Sequence, residues 1–182
     1  MLPLLLVTEA AAEPGSWQRD WIEATGVLFI VLAILGRSWC TLYIGGRKVE
    51  RLVRAGPYSV TRNPLYLISL AAAAGVGMQT GSLVLTLIVV LVAYAIFTPV
   101  IRREEEVLRH VHGADFEEHC RTVPRLLPRF GLWNEEREIT INPFLWRRTV
   151  LDSMWFLLLV PLVRSLGTVR AWVPDLPAIT LP

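Results

Sequence analysis

The residues best equipped for chemistry fall in two polar stretches, Glu50–Tyr66 (ERLVRAGPYSVTRNPLY) and Arg102–Pro128 (RREEEVLRHVHGADFEEHCRTVPRLLP). The second supplies adjacent carboxylates, Glu104 and Glu105, natural partners for a cationic centre and able to take a proton from an attacking amine, phenol or thiol. The first supplies Arg62 and backbone N–H groups as donors to a carboxylate or to hydroxyls. Tyr58, Tyr66, Leu52 and Val53 can form a slot for a flat or apolar ring. His110, His112, His119 and Cys120 also cluster in the second stretch. On a helix, however, residues i and i+2 diverge, and Gly113 interrupts the path from His112 to His119, so no metal site is expected. These histidines read as solvated helix-face residues, and Glu106 as a helix-terminus or ion-pair acid.

The elements that must position these groups are apolar. Of 182 residues, 53% are hydrophobic and 19% charged, with a mean hydropathy of +0.47. That is too apolar for an ordinary soluble domain and points to a helical integral membrane protein. A formal net charge of +2 argues against nucleic acid as a partner. Cys40 and Cys120 form no CxxC and read as structural thiols.

In chain order, the short run MLPLLLV makes a poor signal peptide, lacking a preceding basic residue and being followed by Glu9 and Glu13. Trp21 to Ile44 is long enough to span a bilayer. Arg37 within it is expected to snorkel or to make a structural hydrogen bond. A second helix is expected from Pro64 to Met78, because proline suits a first helical turn; Gly75 and Gly77 would let a neighbour approach closely. The turn Gln79–Ser82 leads to a third helix, Leu83 to Ile101, with Pro99 as a kink. A separate charged helix over Arg102–Arg121 follows. Residues 131–148 read as an interfacial linker with Trp133 and Trp146 at headgroup level, and Thr149 to Leu166 as a further span, before a proline-rich tail. The expected fold class is all-α: an integral membrane bundle of about four transmembrane helices, five at the upper end. It forms a single membrane domain over 1–182, with a motif-bearing core at 43–128 and a linker and last helix at 131–170.

Arg47, Lys48, Arg51, Arg54 and Arg62 crowd the first polar stretch, whereas the 79–82 turn has no charge. By the positive-inside tendency both polar stretches face the cytoplasm of a multi-pass protein.

The order Glu50-x-Leu52-Val53-x-x-Gly56-Pro57-Tyr58-x-x-x-Arg62-Asn63-Pro64-x-Tyr66 resembles the H-x-L-V-x-x-G-P-Y-x-x-x-R-H-P-x-Y pattern of isoprenylcysteine carboxyl methyltransferases and related bacterial membrane methyltransferases. The second stretch extends the resemblance. Glu104, Glu105, Leu108, Gly113, Val123, Pro124, Arg125 and Pro128 match that family's E-E-x-x-L-x-x-x-F-G-x-x-Y-x-x-Y and V-P-R-x-x-P elements. The resemblance implies S-adenosyl-L-methionine as cofactor, contacted by Tyr43, Glu50, Arg51, Leu52, Val53, Tyr58, Arg62, Asn63, Pro64, Leu65, Tyr66 and Glu104. It implies methyl transfer to a lipophilic or prenylated acceptor among membrane lipids, with Glu104 and Glu105 as the catalytic acids.

The departures bear on chemistry. Asn63 replaces the family's histidine and cannot titrate near neutrality. Glu50 replaces a second histidine, and His112, Phe116 and His119 replace Phe, Tyr and Tyr. The position of the family's substrate-carboxylate arginine, one turn before the first Glu, is Val100, leaving Arg102, Arg103 or Arg125 to meet an acceptor. Two other readings compete: an NADPH-dependent membrane reductase of the sterol type, and a non-catalytic lipid-binding scaffold. The Glu104–Glu105 pair favours a cationic cofactor over NADPH.

Overall fold

The computed structural model describes residues 8–10, 16–45, 51–171 and 179–181. In order, they form β1 (Thr8–Ala10), α1 (Trp17–Ile44), α2 (Pro57–Val60), α3 (Pro64–Met78), α4 (Leu83–His112), α5 (Ala114–Thr122), a 3-10 turn (Phe130–Leu132), α6 (Pro143–Ala171) and β2 (Ile179–Leu181). The two short strands pair in parallel, with Thr8 opposite Ile179. Helices account for nearly all the remaining regular structure. Among the described residues, α1 and α4 are long and apolar enough to cross a membrane, and α3 is a shorter apolar helix. The architecture is a helical membrane bundle.

The expected Pro64–Met78 helix is found with those bounds. The third helix is not. The chain continues without a break from the apolar run through Pro99 and the charged Arg102–His112 segment, giving one helix of 30 residues. Arg, Glu and Leu are strong helix formers and nothing in that segment breaks the helix. The break comes at Gly113, whose φ of +50 places it in a backbone region that L side chains rarely adopt. α5 then starts immediately. The last helix begins earlier than expected, at Pro143, where Asn142 Oδ1 accepts the Leu145 N–H at 3.2 Å.

The chain divides into two compact units. One comprises residues 1–33, 70–93 and 153–182. Here a Cβ added at Gly26 would lie 2.7 Å from the Gly75 carbonyl oxygen, and one at Gly75 would lie 2.6 Å from that of Gly26. α1 and α3 therefore meet backbone to backbone, as small residues permit within a membrane. Glu23 pairs with Arg19 at 2.8 Å and with Arg164 at 3.0 Å. Buried Gln79 donates to the carbonyls of Glu23 and Gly75.

The other unit comprises residues 34–69 and 94–152, and it contains both polar stretches. Gly36 packs on Ile68, Trp146 Nε1 donates to Ser38 Oγ at 2.7 Å, and the Trp39 and Trp133 rings lie 5.4 Å apart.

Candidate functional site

Backbone hydrogen bonds stitch the two polar stretches together. The Arg62 N–H donates to the Pro124 carbonyl and the Arg129 N–H to that of Val60, both at 2.9 Å. Thr61 Oγ1 reaches the carbonyls of Arg125 and Leu126 at 3.1 Å. Gly56 sets the entry to α2: its φ is +56, and an added Cβ would sit 2.3 Å from Tyr43 Cζ. Only glycine fits there without strain. A segment so short and so firmly held can present Tyr58, Arg62 and Asn63 in fixed positions.

Glu105 lies at the centre of the contact between the stretches and is 3% exposed. Its Oε2 accepts from Arg125 Nη2 at 2.6 Å and Arg125 Nε at 3.0 Å. Oε1 accepts from Asn63 Nδ2 at 3.1 Å. Arg62 Nε stands 3.3 Å from that same oxygen, an ion contact without hydrogen-bond alignment. Arg62 Nη1 instead donates to the Cys120 carbonyl at 3.0 Å. Asn63, which cannot shuttle a proton, thus bridges the stretches, donating to the Arg125 carbonyl as well.

Glu104, the next residue on α4, has a different setting. Tyr66 on α3 donates its hydroxyl to Glu104 Oε1 at 2.9 Å, and the Tyr66 ring packs against Phe97 with centroids 5.5 Å apart. Glu104 and Glu105 share the wall of a recess with Ile44, Leu52, Val53, Tyr58, Arg62, Asn63, Leu108, Phe116 and His119. About 40 Å³ of the recess is open to the centre of a water molecule. That is well below the size of a ligand-filled pocket, so a cofactor would have to widen it. Apolar and aromatic side chains line it, with a few polar groups converging, the composition expected of a cofactor site.

Tyr58 Oη is buried in that wall and has no hydrogen-bond partner. Burial pushes this phenol well above its usual titration range, so it stays a donor. An orphaned buried hydroxyl costs stability unless a ligand satisfies it. With Glu104 in the same wall, the polar groups fit a molecule carrying both a cationic centre and hydrogen-bond acceptors, as S-adenosylmethionine does.

Reasoning from sequence missed four of the lining residues. His119 is 6% exposed and lines the recess rather than facing solvent. Burial, then the neighbouring Arg54 and Arg62, press its pKa down to about 4, leaving a neutral imidazole. Its signal was the aromatic register of the second motif, in which Phe116 and His119 stand at the tyrosine positions. Leu108 carried a signal as a match to the second motif, whereas Ile44 carried none beyond its apolar character.

The remaining candidates are distributed more widely. Tyr43 and Arg51 line a separate small recess that shares Ile44 and Val53 with the first, and exposed Arg51 pairs with Glu136 at 3.2 Å. Pro64 starts α3 and faces an apolar groove bounded by Trp39, Leu67, Ile68, Phe130 and Trp133. The Leu65 carbonyl accepts from Ser69 Oγ. Val100 is 41% exposed, Arg102 and Arg103 are exposed outside the recess wall, and Arg125 is engaged with Glu105. Glu50 lies outside the described residues. No group of three or more His, Cys, Asp or Glu able to hold a metal occurs among the described residues.

The chain matches the model of a known family, the phospholipid methyltransferases, over residues 23–115, a range that contains Glu104, Glu105 and most of the recess wall. It is 35% identical to the nickel-cobalt-cadmium resistance protein NccN of Alcaligenes xylosoxydans xylosoxydans, over 88% of this chain and 78% of that protein. It is 38% identical to the cobalt-zinc-cadmium resistance protein CzcN of Cupriavidus metallidurans, over 83% of this chain and 69% of that protein. No solved structure matches. From the family match and the extent of the likeness to these relatives, the chain belongs to the phospholipid methyltransferase family, that of the isoprenylcysteine carboxyl methyltransferase-like membrane methyltransferases.

Proposed function

We propose that the protein is an S-adenosylmethionine-dependent methyltransferase acting on a hydrophobic, membrane-resident acceptor. The observation that carries this reading is the recess wall, which Glu104, accepting from Tyr66, shares with an orphaned Tyr58 hydroxyl and with apolar side chains. S-adenosylmethionine, when bound, supplies a methyl group already activated on a sulfonium. The residues then have four tasks: to neutralise positive charge, to orient, to exclude water and to hold a proton. Glu104 meets the positive charge, and Tyr66 fixes its carboxylate. Tyr58 Oη donates to an acceptor atom of the ligand, while Leu52, Val53, Leu108 and Phe116 keep water out. A carboxylate or thiolate acceptor needs no base, whereas for an amine or phenol Glu104 takes the proton. Glu105, with both oxygens engaged by Arg125, Asn63 and Arg62, is a positioning residue that locks the two stretches together.

In this reading the protein is multi-pass and its recess faces the cytoplasm, where the basic 47–62 segment would lie. The names of the two relatives suggest resistance to divalent transition metals as the setting, and methylation of a membrane component as the contribution. Calorimetry on detergent-purified protein with S-adenosylmethionine, S-adenosylhomocysteine and NADPH tests the reading. Binding of the first two, weakened in Glu104→Gln, is expected. Binding of NADPH alone would make the protein a reductase, and binding of none would leave a scaffold.

A further inference from the structure

Tyr58, Arg62, Asn63, Glu104 and Glu105 each have a partner or a task in the recess wall, and His119 has neither. It lies on α5 one helical turn after Phe116, and both residues line the recess. They are 6% and 1% exposed. Among the described residues nothing hydrogen-bonds to the His119 imidazole. Only its backbone carbonyl is used, by the Val123 N–H and by Thr122 Oγ1. An imidazole buried without partners is costly. A second apolar ring would fill that place at lower cost, so the ring nitrogens argue for a ligand that meets them.

The surroundings define what kind of ligand group that is. The charges acting on His119 are Arg54 and Arg62, and both oppose a positive imidazole. Both arginines are themselves engaged, Arg54 with Asp115, and Arg62 with Glu105 and the Cys120 carbonyl. The imidazole therefore stays neutral and offers one N–H donor and one acceptor nitrogen. A different set acts on Tyr58, namely Cys40, Glu104, Arg37 and Tyr66. The recess thus favours a positive ligand group at Glu104 and a neutral polar one at His119. The aromatic face of Phe116 and the aliphatic Leu52 and Val53, all in the same wall, suit a flat ring. A purine combines a flat apolar face with a neutral edge that both donates and accepts.

We propose that His119 hydrogen-bonds the adenine of the cofactor, with that ring lying against Phe116, Leu52 and Val53 and the cofactor's ammonium directed to Glu104. The assignment rests on the methyltransferase reading and adds the orientation of the cofactor to it. Entry of the ring widens the recess. The test uses three probes: S-adenosylhomocysteine; methylthioadenosine, which keeps the adenine and lacks the amino acid; and S-ribosylhomocysteine, which keeps the amino acid and lacks the adenine. Their affinities for the full chain in neutral detergent are measured by calorimetry, in competition where binding is weak. His119→Phe should weaken S-adenosylhomocysteine and methylthioadenosine alike, by about five-fold, the worth of one hydrogen bond. It should leave S-ribosylhomocysteine unchanged. His119→Gln, whose amide keeps a donor and an acceptor, should hold all three within about two-fold. Glu104→Gln should show the converse pattern, weakening the two probes that carry the amino acid and sparing methylthioadenosine. If His119→Phe does not fold, His119→Leu takes its place. Undiminished methylthioadenosine binding, equal weakening of S-ribosylhomocysteine, or a His119→Gln protein as weak as the apolar variant overturns the assignment while S-adenosylhomocysteine still binds the unaltered protein. Failure of S-adenosylhomocysteine to bind the unaltered protein overturns the methyltransferase reading itself, and the assignment with it.

Discussion

Glu104 and Glu105 are neighbours in sequence and share one recess wall, yet the partners of the two acids differ: Tyr66 for the first, Arg125, Arg62 and Asn63 for the second. Around Glu105 the charge is matched: two arginines and an amide converge on one buried carboxylate, and the surrounding backbone is tied by hydrogen bonds, although Arg62 Nε makes none. Glu104 meets another kind of neighbour. Tyr66 donates to this acid, at a recess that also contains the unsatisfied Tyr58 hydroxyl. A carboxylate already engaged by two arginines has little to offer a ligand, whereas an unsatisfied buried hydroxyl gains by binding one. The contrast distinguishes the two acids where residue type cannot, and in the proposed reading Glu104 is the one that meets the ligand.

Changes at Glu105 should have the largest effect. Glu105→Ala leaves Arg62 and Asn63 uncompensated in a buried setting and should destabilise the fold by about 3–5 kcal/mol, read as a lowered melting temperature or failure to purify as a monodisperse species. A stable Glu105→Ala protein that had lost only cofactor binding would reverse the assignment of the two acids. Glu104→Gln should keep the melting temperature but weaken S-adenosylmethionine binding about ten-fold or more, the usual cost of removing one partner of a charge pair at a binding site. Unchanged affinity in calorimetry would remove Glu104 from the site.

Tyr58→Phe sharpens the comparison further. Because its hydroxyl has no partner within the protein, the substitution should leave stability unchanged or slightly raised while weakening cofactor binding about five-fold, or about 1 kcal/mol. A fall in stability would show that the hydroxyl is satisfied within the fold. The smallest effect is expected from pH. His119 has a folded pKa of about 4 against an ordinary 6.5, so the unfolded chain takes up the proton first on acidification. The stability contributed by the neutral imidazole is complete above the ordinary value and declines as pH falls towards about 4. Between about pH 7.5 and 6 the loss should stay under about 1 kcal/mol. It should be absent from the melting curve of His119→Phe, and an equal slope in both proteins would assign the titration elsewhere.

Much of the fold could be read from the residues. Pro64 and the apolar run behind it fix α3, because proline needs no donor in a first turn and the run has no breaker before Met78. The boundary after Ile101 was misplaced because a change from apolar to charged residues resembles the end of an element. Helix continuity depends on propensity and backbone, and glycine interrupts it only at 113. His119 was misjudged because a histidine on a charged nine-residue helix looks solvated until the neighbouring elements are packed around it. The recess itself was anticipated through Leu52, Val53, Tyr58, Arg62, Asn63 and Glu104, all of which line it.

The sequence by itself determined that the chain is an apolar helical protein with two polar stretches. Periodicity, composition and the order of prolines and glycines are local properties, and they survive reading in one dimension. Only the tertiary structure gave the two acids different partners. Adjacent residues on a helix point about 100° apart, so Glu104 and Glu105 meet different neighbours: one a tyrosine beside a recess, the other a pair of arginines more than a turn away in sequence. Which neighbour each meets follows from how α3 and the Val123–Pro128 segment pack against α4, and no spacing within the motif encodes that.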